Sequence, residues 1–174
     1  ERDEAGLIPP GAVWLRDAVT EFEPENNVVR TRDGRRLHYD YLIVAPGIQL
    51  DWHKVDDLPA ALGKDGVCSN YAYQYVDSTW QFLRGMREGR AIFTNPNTPV
   101  KCGGAPQKIM WLAEHHFRRT GVRDQVQVTF ATAGASIFGV KKYREALEKL
   151  VVARHIDTRF HHNLIAVRPA AREA

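Results

Sequence analysis

The chain has 174 residues, of which 44% are hydrophobic and 26% charged, and its formal net charge is +3. This composition is typical of a globular protein and excludes a disordered one. The 24 Lys and Arg residues are scattered along the chain, which argues against nucleic acid as a partner. No apolar run approaches the roughly 20 residues of a membrane span. The charged start without Met, and a fold that stops before completion, predict a piece truncated at both ends.

Residues 1–47 predict a short antiparallel β-meander followed by one buried strand. Short strands are expected at 12–15, 18–22 and 28–31, and Asp33 with Gly34 forms the tight hairpin loop that follows them. The run 41–44 is continuously apolar and stops at Pro46, a pattern typical of a strand buried on both faces of a parallel sheet.

Residues 48–89 predict an irregular crossover followed by one helix. Gly, Pro and Asp are spread through the first part of this segment. The helix is expected at 79–86, with Asp77 or Ser78 as its N-cap, with Trp80 and Leu83 facing inward and with Phe82 as a further candidate for the inner face.

Residues 90–174 predict an α/β, Rossmann-like β-α-β-α-β half of a doubly wound fold. The inner face of the first helix is expected to carry Ile109, Leu112, Ala113 and Phe117, with Gly121 closing the helix. A last strand at 164–167 is expected to form a hairpin with its predecessor. The alternating strands and helices are expected, in chain order, at 91–94, 106–120, 126–131, 141–153 and 157–160.

The first strand-to-helix loop does not have the chemistry of a dinucleotide site. Such a site needs G-x-G-x-x-G, whose glycines let backbone N–H groups approach the pyrophosphate. Here Pro96, Pro99 and Pro106 remove donors and stiffen the chain. The acidic residue expected after the second strand is also missing, since residues 131–134 read A-T-A-G.

The same loop carries Cys102, which follows Lys101 and precedes two glycines. No Ser, Thr, Asp or Asn stands at the expected helix N-cap, so the positive end of the helix dipole is free to favour a thiolate. The plain alternative is that this cysteine is a small buried hydrophobic residue. The second cysteine, Cys68, forms neither a metal-ligand pattern nor a disulfide framework with it, and the redox compartment stays open.

Three segments of the chain carry a resemblance to a known family. They are Y-D-Y-L-I-V-A-P-G at 39–47, F-T-N-P-N-T-P-V-K-C-G-G-A-P-Q-K at 93–108, and I-F-G-V-K-K-Y at 137–143. Together they resemble the sulfide:quinone oxidoreductases, in particular their mitochondrial-type branch, which belong to the FAD-dependent pyridine nucleotide-disulfide oxidoreductase superfamily. The first segment is shared with many flavoproteins, whereas the second is close to diagnostic.

The resemblance implies a full-length enzyme that binds FAD, oxidises sulfide at a pair of redox cysteines and reduces a membrane quinone. A small thiol or sulfite would accept the sulfur, and a missing C-terminal region would make peripheral contact with the membrane. Residues 1–47 would be the C-terminal part of the FAD-binding domain, and residues 90–174 a degenerate, incomplete NAD(P)-binding-like domain. The 174-residue piece would be inactive alone.

By the same resemblance Cys102 is one of the two redox cysteines, the other lies beyond Ala174, and Cys68 is a bystander. Ala45, Pro46 and Gly47 would place backbone near the cofactor, although a simple Pro-Gly turn that ends a strand is equally compatible with them. Lys108 would stabilise negative charge on reduced flavin or on a persulfide, or it is simply an exposed first-turn lysine.

Two other functions are compatible with the sequence. One is a related flavoprotein, such as a type II NADH dehydrogenase or a flavocytochrome sulfide dehydrogenase, although the degenerate nicotinamide loop argues against the first. The other is a non-catalytic sulfur-carrier or assembly module. No metal site is expected, because His115-His116 and His161-His162 are adjacent residues rather than ligands at helical spacing.

Overall fold

The computed structural model describes residues 2–174, which fall into two units, residues up to Pro46 and Gly47–Ala174. The first unit contains strands β1 (Val19–Glu23), β2 (Val28–Thr31) and β3 (Arg36–His38), paired antiparallel in the order β1-β2-β3. The predicted meander is therefore present. The segment 12–15 is not a strand.

The second prediction for this unit, a buried strand at 41–44, is wrong. Residues 41–44 have no strand pairing within the described part of the chain, and Tyr41 and Ile43 are 94% and 91% exposed. An apolar run becomes a doubly buried strand when neighbouring strands and helices cover both of its faces. None of the described elements of this unit does so.

The second unit is built on a parallel sheet of β4 (Gly89–Asn95), β5 (Val126–Thr132) and β6 (Asp157–Phe160), in the order β4-β5-β6. Helix α3 (Ala105–Arg119) connects β4 to β5, and α4 (Lys141–Ala153) connects β5 to β6. The predicted β-α-β-α-β unit is confirmed. Its helices and strands lie within one or two residues of their expected bounds, because each apolar pattern is long and regular.

The core of this unit lies between α3 and the sheet. Phe117, Met110, Val128 and Phe130 are at most 1% exposed there. The prediction that Leu112 faces inward is wrong, since its side chain is 60% exposed. The buried stripe of α3 instead runs through positions 106, 107, 110, 113, 114 and 117, which is also a helical period.

The crossover contains a one-turn helix α1 (Leu58–Ala61) and helix α2 (Val76–Gly85). Helix α2 begins before the predicted cap residues, and its N-cap position, Tyr75, makes no side-chain capping bond. Trp80 was expected to face inward, but it is 49% exposed and packs edge-on against His116 of α3.

The C-terminal segment does not form the predicted hairpin with β6. Asp56 N–H donates to Ile165 O at 2.9 Å, and Val167 N–H donates to Asp56 O at 2.9 Å. Val167 is buried with Leu58, Ala61 and Leu62 in a second small core. The segment therefore pairs with the crossover, because that contact covers apolar side chains that a hairpin would leave exposed.

Candidate functional site

A cavity of about 560 Å³ opens in the second unit at the carboxyl end of β4. Open α/β sheets place ligands at this edge. Its volume lies within the range of small-molecule sites. The walls are mostly apolar and come from the crossover (48–58 and 68–71), α2, the β4 strand and loop, the start of α3, and the segment after β6.

The Cys102 loop forms one wall of this cavity and is anchored at several points. Asn95 Nδ2 donates to Thr132 Oγ1 at 3.1 Å, and the Asn97 N–H donates to Asn163 Oδ1 at 3.1 Å. At the other end, Ala105 N–H donates to Cys102 O at 3.0 Å. These bonds hold the cysteine two residues before the N-cap, Gly104, which has no side-chain capping bond.

Cys102 is an exposed free thiol, and Lys101 and Ala105 on either side of it contribute to the cavity wall. Lys108 lies in the first turn of α3 and is also exposed. The first turn contains no acidic residue. Lys101 and the uncapped N-terminus of α3 therefore flank the cysteine along the chain, and Lys108 lies in the first turn of that helix.

Tyr71, which belongs to none of the motifs in the sequence, also lines the cavity. Its hydroxyl oxygen is buried and has no hydrogen-bond partner in the described part of the chain. Its backbone is fixed by a bond from the Tyr71 N–H to Ser69 Oγ at 3.2 Å. Burial, and secondarily the negative charge of a nearby Cys102 thiolate, raise the pKa of the Tyr71 phenol. Its hydroxyl is therefore a neutral donor near the cysteine.

Cys68 contributes to the same cavity but differs in its surroundings. It is half-buried, and this burial raises the pKa of the Cys68 thiol. A hydrogen bond with Thr79 acts in the opposite direction and is the smaller effect. Thr79 itself is buried and donates to Tyr75 O at 3.1 Å. Cys68 is therefore held as a neutral thiol at physiological pH.

The other predicted cofactor residues lie at the junction between the two units along the chain. Ala45 and Pro46 end the first unit, and Gly47 begins the second with φ of +76°. All three are exposed and outside regular secondary structure. Cys102 and Lys108 thus both belong to the second unit, while Ala45 and Pro46 belong to the first.

Neither a metal site nor a membrane-spanning helix is present in residues 2–174. No group of three or more His, Cys, Asp or Glu in this part of the chain could hold a metal ion. Within the same residues, no helix has both the length and the apolar character needed to cross a membrane.

Comparison with known proteins gives close relatives along the entire chain, although no family model matches it. The chain is 48% identical over 175 residues to the mitochondrial sulfide:quinone oxidoreductase of Dictyostelium discoideum, covering 100% of this chain and 39% of the relative. The corresponding Mus musculus protein is 47% identical over 173 residues, covering 99% of this chain and 38% of the relative. The chain therefore spans about 39% of the length of the curated relatives that it matches.

A solved structure agrees at the level of the fold. The sulfide:quinone oxidoreductase from the hyperthermophilic bacterium Aquifex aeolicus matches with a TM-score of 0.67 and 21% identity. The match covers 89% of this chain and 36% of that chain. The predicted fold class and the resemblance stated from the three motifs are both confirmed.

Proposed function

Because this chain is homologous along its whole length to a segment of the mitochondrial sulfide:quinone oxidoreductases, we propose that it forms the sulfur-handling part of a flavoprotein that oxidises sulfide and reduces quinone. The observation that carries this proposal is the position of Cys102. An exposed thiol follows Lys101 at the end of an anchored loop, just before an uncapped helix N-terminus whose first turn contains Lys108. A nucleophilic or electrophilic sulfur needs this access and this positive potential.

The proposed reaction uses Cys102 in a disulfide with a second cysteine of the full-length protein. Sulfide attacks the Cys102 sulfur, so that a new S–S bond forms and the disulfide S–S bond breaks. Cys102 then carries a persulfide, and the other cysteine leaves as a thiolate with the electron pair of the broken bond. Lys101 and Lys108 stabilise the anionic sulfur that forms at each stage. A small thiol or sulfite removes the outer sulfur.

The residues of the second unit fit the surroundings of a flavin ring. The cavity has the size of a small-molecule site, and Trp52, Phe93 and Ile109 give it apolar walls. Prolines in the loop leave no phosphate-binding turn, so the nucleotide part of FAD would be held elsewhere in the full-length protein. When bound, the flavin supplies a two-electron acceptor that passes electrons on to quinone.

The same proposal assigns the remaining parts of the chain. Residues 1–47 belong to the FAD-binding domain, with Ala45, Pro46 and Gly47 bringing backbone near the cofactor. Residues 90–174 form the degenerate NAD(P)-binding-like domain, and residues 48–89 the crossover. The full-length protein makes peripheral contact with a mitochondrial membrane, where it meets its quinone.

Sulfide-dependent quinone reduction by the flavin-loaded full-length protein tests the proposal. We expect Cys102→Ser to abolish turnover and the matched variant Cys68→Ser to retain it, because Cys68 is half-buried and neutral. Wild-type turnover in Cys102→Ser would remove the assignment. Rapid flavin reduction by NADH would instead support a dehydrogenase of related fold.

A further inference from the structure

The carboxyl ends of β4 and β5 are joined by the buried hydroxyl of Thr132. Asn95 and Thr132 are the last residues of these two strands and stand opposite each other in the parallel register. Asn95 Nδ2 donates to Thr132 Oγ1 at 3.1 Å, and the Gly134 N–H donates to the same oxygen at 3.1 Å. Because Thr132 is 0% exposed, water does not compete for this oxygen. One hydroxyl thus connects the end of β4 to the loop that follows β5.

Asn95 is also the residue at which the Cys102 loop leaves the sheet. Its backbone O accepts a hydrogen bond from the Ala133 N–H at 3.1 Å, so both its side chain and its main chain are fixed to the end of β5. The loop continues with Pro96 and Pro99, whose rings restrict their own φ and the conformation of the residue before each of them. A change in the direction of Asn95 is therefore transmitted along a stiff segment.

This stiff segment forms a wall of the cavity. Residues 96–101 line it, and Cys102 follows them directly in the chain. We infer that Thr132 is a positioning residue whose hydroxyl orients Asn95 and thereby holds the Cys102 loop in place along the cavity. The inference rests on the proposed function, because it concerns the attack of sulfide on the Cys102 sulfur. That step needs the attacking sulfur aligned with the bond that breaks, so a small displacement of the loop slows it.

Four variants of the full-length, flavin-loaded protein test this role. Thr132→Val keeps the shape of the side chain and removes the oxygen, whereas Thr132→Ser keeps the oxygen. Asn95→Leu removes the same hydrogen bond from its donor side and leaves the Gly134 bond intact, so it decides the test if Thr132→Val does not fold. The matched control is Thr129→Val, because Thr129 is also buried in β5 but its Oγ1 has no hydrogen-bond partner within residues 2–174.

Stopped-flow absorbance of the flavin measures the two half-reactions separately, and each rate is taken per bound flavin, so a smaller folded fraction does not change it. We expect flavin reduction by sulfide to be about tenfold slower in Thr132→Val and Asn95→Leu, because the loop loses the bond that orients it. Thr132→Ser restores the rate to within about twofold, and Thr129→Val keeps it. Reoxidation of the flavin by quinone does not use Cys102 in the proposed reaction and keeps its rate in all four variants.

Hydrogen exchange of the loop amides gives a second readout that does not depend on turnover. The Asn97 N–H donates to Asn163 Oδ1, and the Ala105 N–H donates to Cys102 O, so both ends of the loop carry a hydrogen-bonded amide. We expect the amides of residues 97–105 to exchange about tenfold faster in Thr132→Val and Asn95→Leu, and at the unsubstituted rate in Thr129→Val.

The opposing results separate the positioning role from the proposed function. If Thr132→Val and Asn95→Leu reduce their flavin with sulfide at the unsubstituted rate, the positioning role is wrong and the proposed function stands. The role is also wrong if Thr132→Ser is as slow as Thr132→Val, or if Thr129→Val slows the reaction equally, since the bonded hydroxyl is then not the cause. If sulfide does not reduce the flavin of the unsubstituted protein, both proposals are wrong.

Discussion

Glu114 is a fully buried carboxylate in the middle of α3, and we expect its neutralisation to loosen the contact between α3 and the end of α4. Its Oε2 accepts a hydrogen bond from Arg154 Nη1 at 2.6 Å, while Arg123 Nε lies 3.8 Å from Oε1. Arg123 in turn donates to Arg154 O at 2.6 Å and Val126 O at 2.8 Å. One carboxylate therefore connects α3, α4 and the start of β5.

The size of the stability loss in Glu114→Gln follows from how deeply Glu114 and its partners are buried. Breaking a buried ion pair costs about 3–5 kcal/mol when the remaining charge stays buried. Arg154 is 31% exposed and regains part of its hydration in Glu114→Gln, so the expected loss is about 2–3 kcal/mol. Arg154→Met removes the exposed partner and leaves the carboxylate buried, so it is expected to cost more than Glu114→Gln.

Native-state hydrogen exchange of the full-length protein measures this loss locally. Amides in α3 and α4 should exchange about 30- to 150-fold faster in Glu114→Gln. The matched control is Glu148→Gln, because Glu148 is 52% exposed and lies 3.9 Å from Arg144 within the same helix. The stability loss in Glu148→Gln is expected to stay below about 0.5 kcal/mol. Equal exchange in the two variants would refute the assignment of Glu114 as the connecting charge.

Other predictions concern the thiols, one turn and one carboxylate. At neutral pH iodoacetamide should label Cys102 well before Cys68, whose pKa is raised by burial; simultaneous labelling, followed by mass spectrometry, would contradict this. Gly121→Ala should destabilise the end of α3 by about 1 kcal/mol because φ is +74°, whereas Gly103→Ala should not; exchange of the α3 amides checks both. Backbone N–H groups of Asp33 and Ala18 donate to the Asp17 carboxylate and lower its pKa. The stabilising effect of this carboxylate on the first unit is therefore present at neutral pH and lost on acidification. Asp17→Asn should make hydrogen exchange of the β2 amides less dependent on acid pH.

The elements that the sequence predicted correctly are those with a local cause. The 3.6-residue period of α3 and α4, and the apolar residues of β5, can be recognised within short runs of consecutive residues. The predictions from sequence are wrong where packing against a neighbouring element determines which side chains are buried. Leu112 is apolar but exposed, because the buried face of α3 contains Glu114 instead, and Glu114 forms ion pairs with arginines. Residues 41–44 have the pattern of a core strand, but pattern alone cannot supply the flanking strands.

The candidate site also has one part that local sequence predicts and another part that it does not. The chain order of strand, loop and helix is enough to predict that Cys102 lies at the carboxyl edge of a sheet, because parallel strands share that edge. Tyr71 and Cys68 lie in a segment without hydrophobic period, and no local signal shows that it folds back over the loop. A buried hydroxyl without an acceptor becomes visible only when the surrounding side chains are known.

The surroundings of the two cysteines also decide which of them can take part in disulfide exchange. Cys68 contributes to the same cavity as the Cys102 loop, so a pairing between the two thiols is the simplest alternative to a second cysteine outside this chain. Exchange requires a thiolate, and burial raises the pKa of Cys68 above that of an ordinary cysteine. Cys102, by contrast, is exposed and lies at an uncapped helix N-terminus. The chain therefore presents one accessible thiol, and under the function proposed above its redox partner is sought elsewhere in the full-length protein.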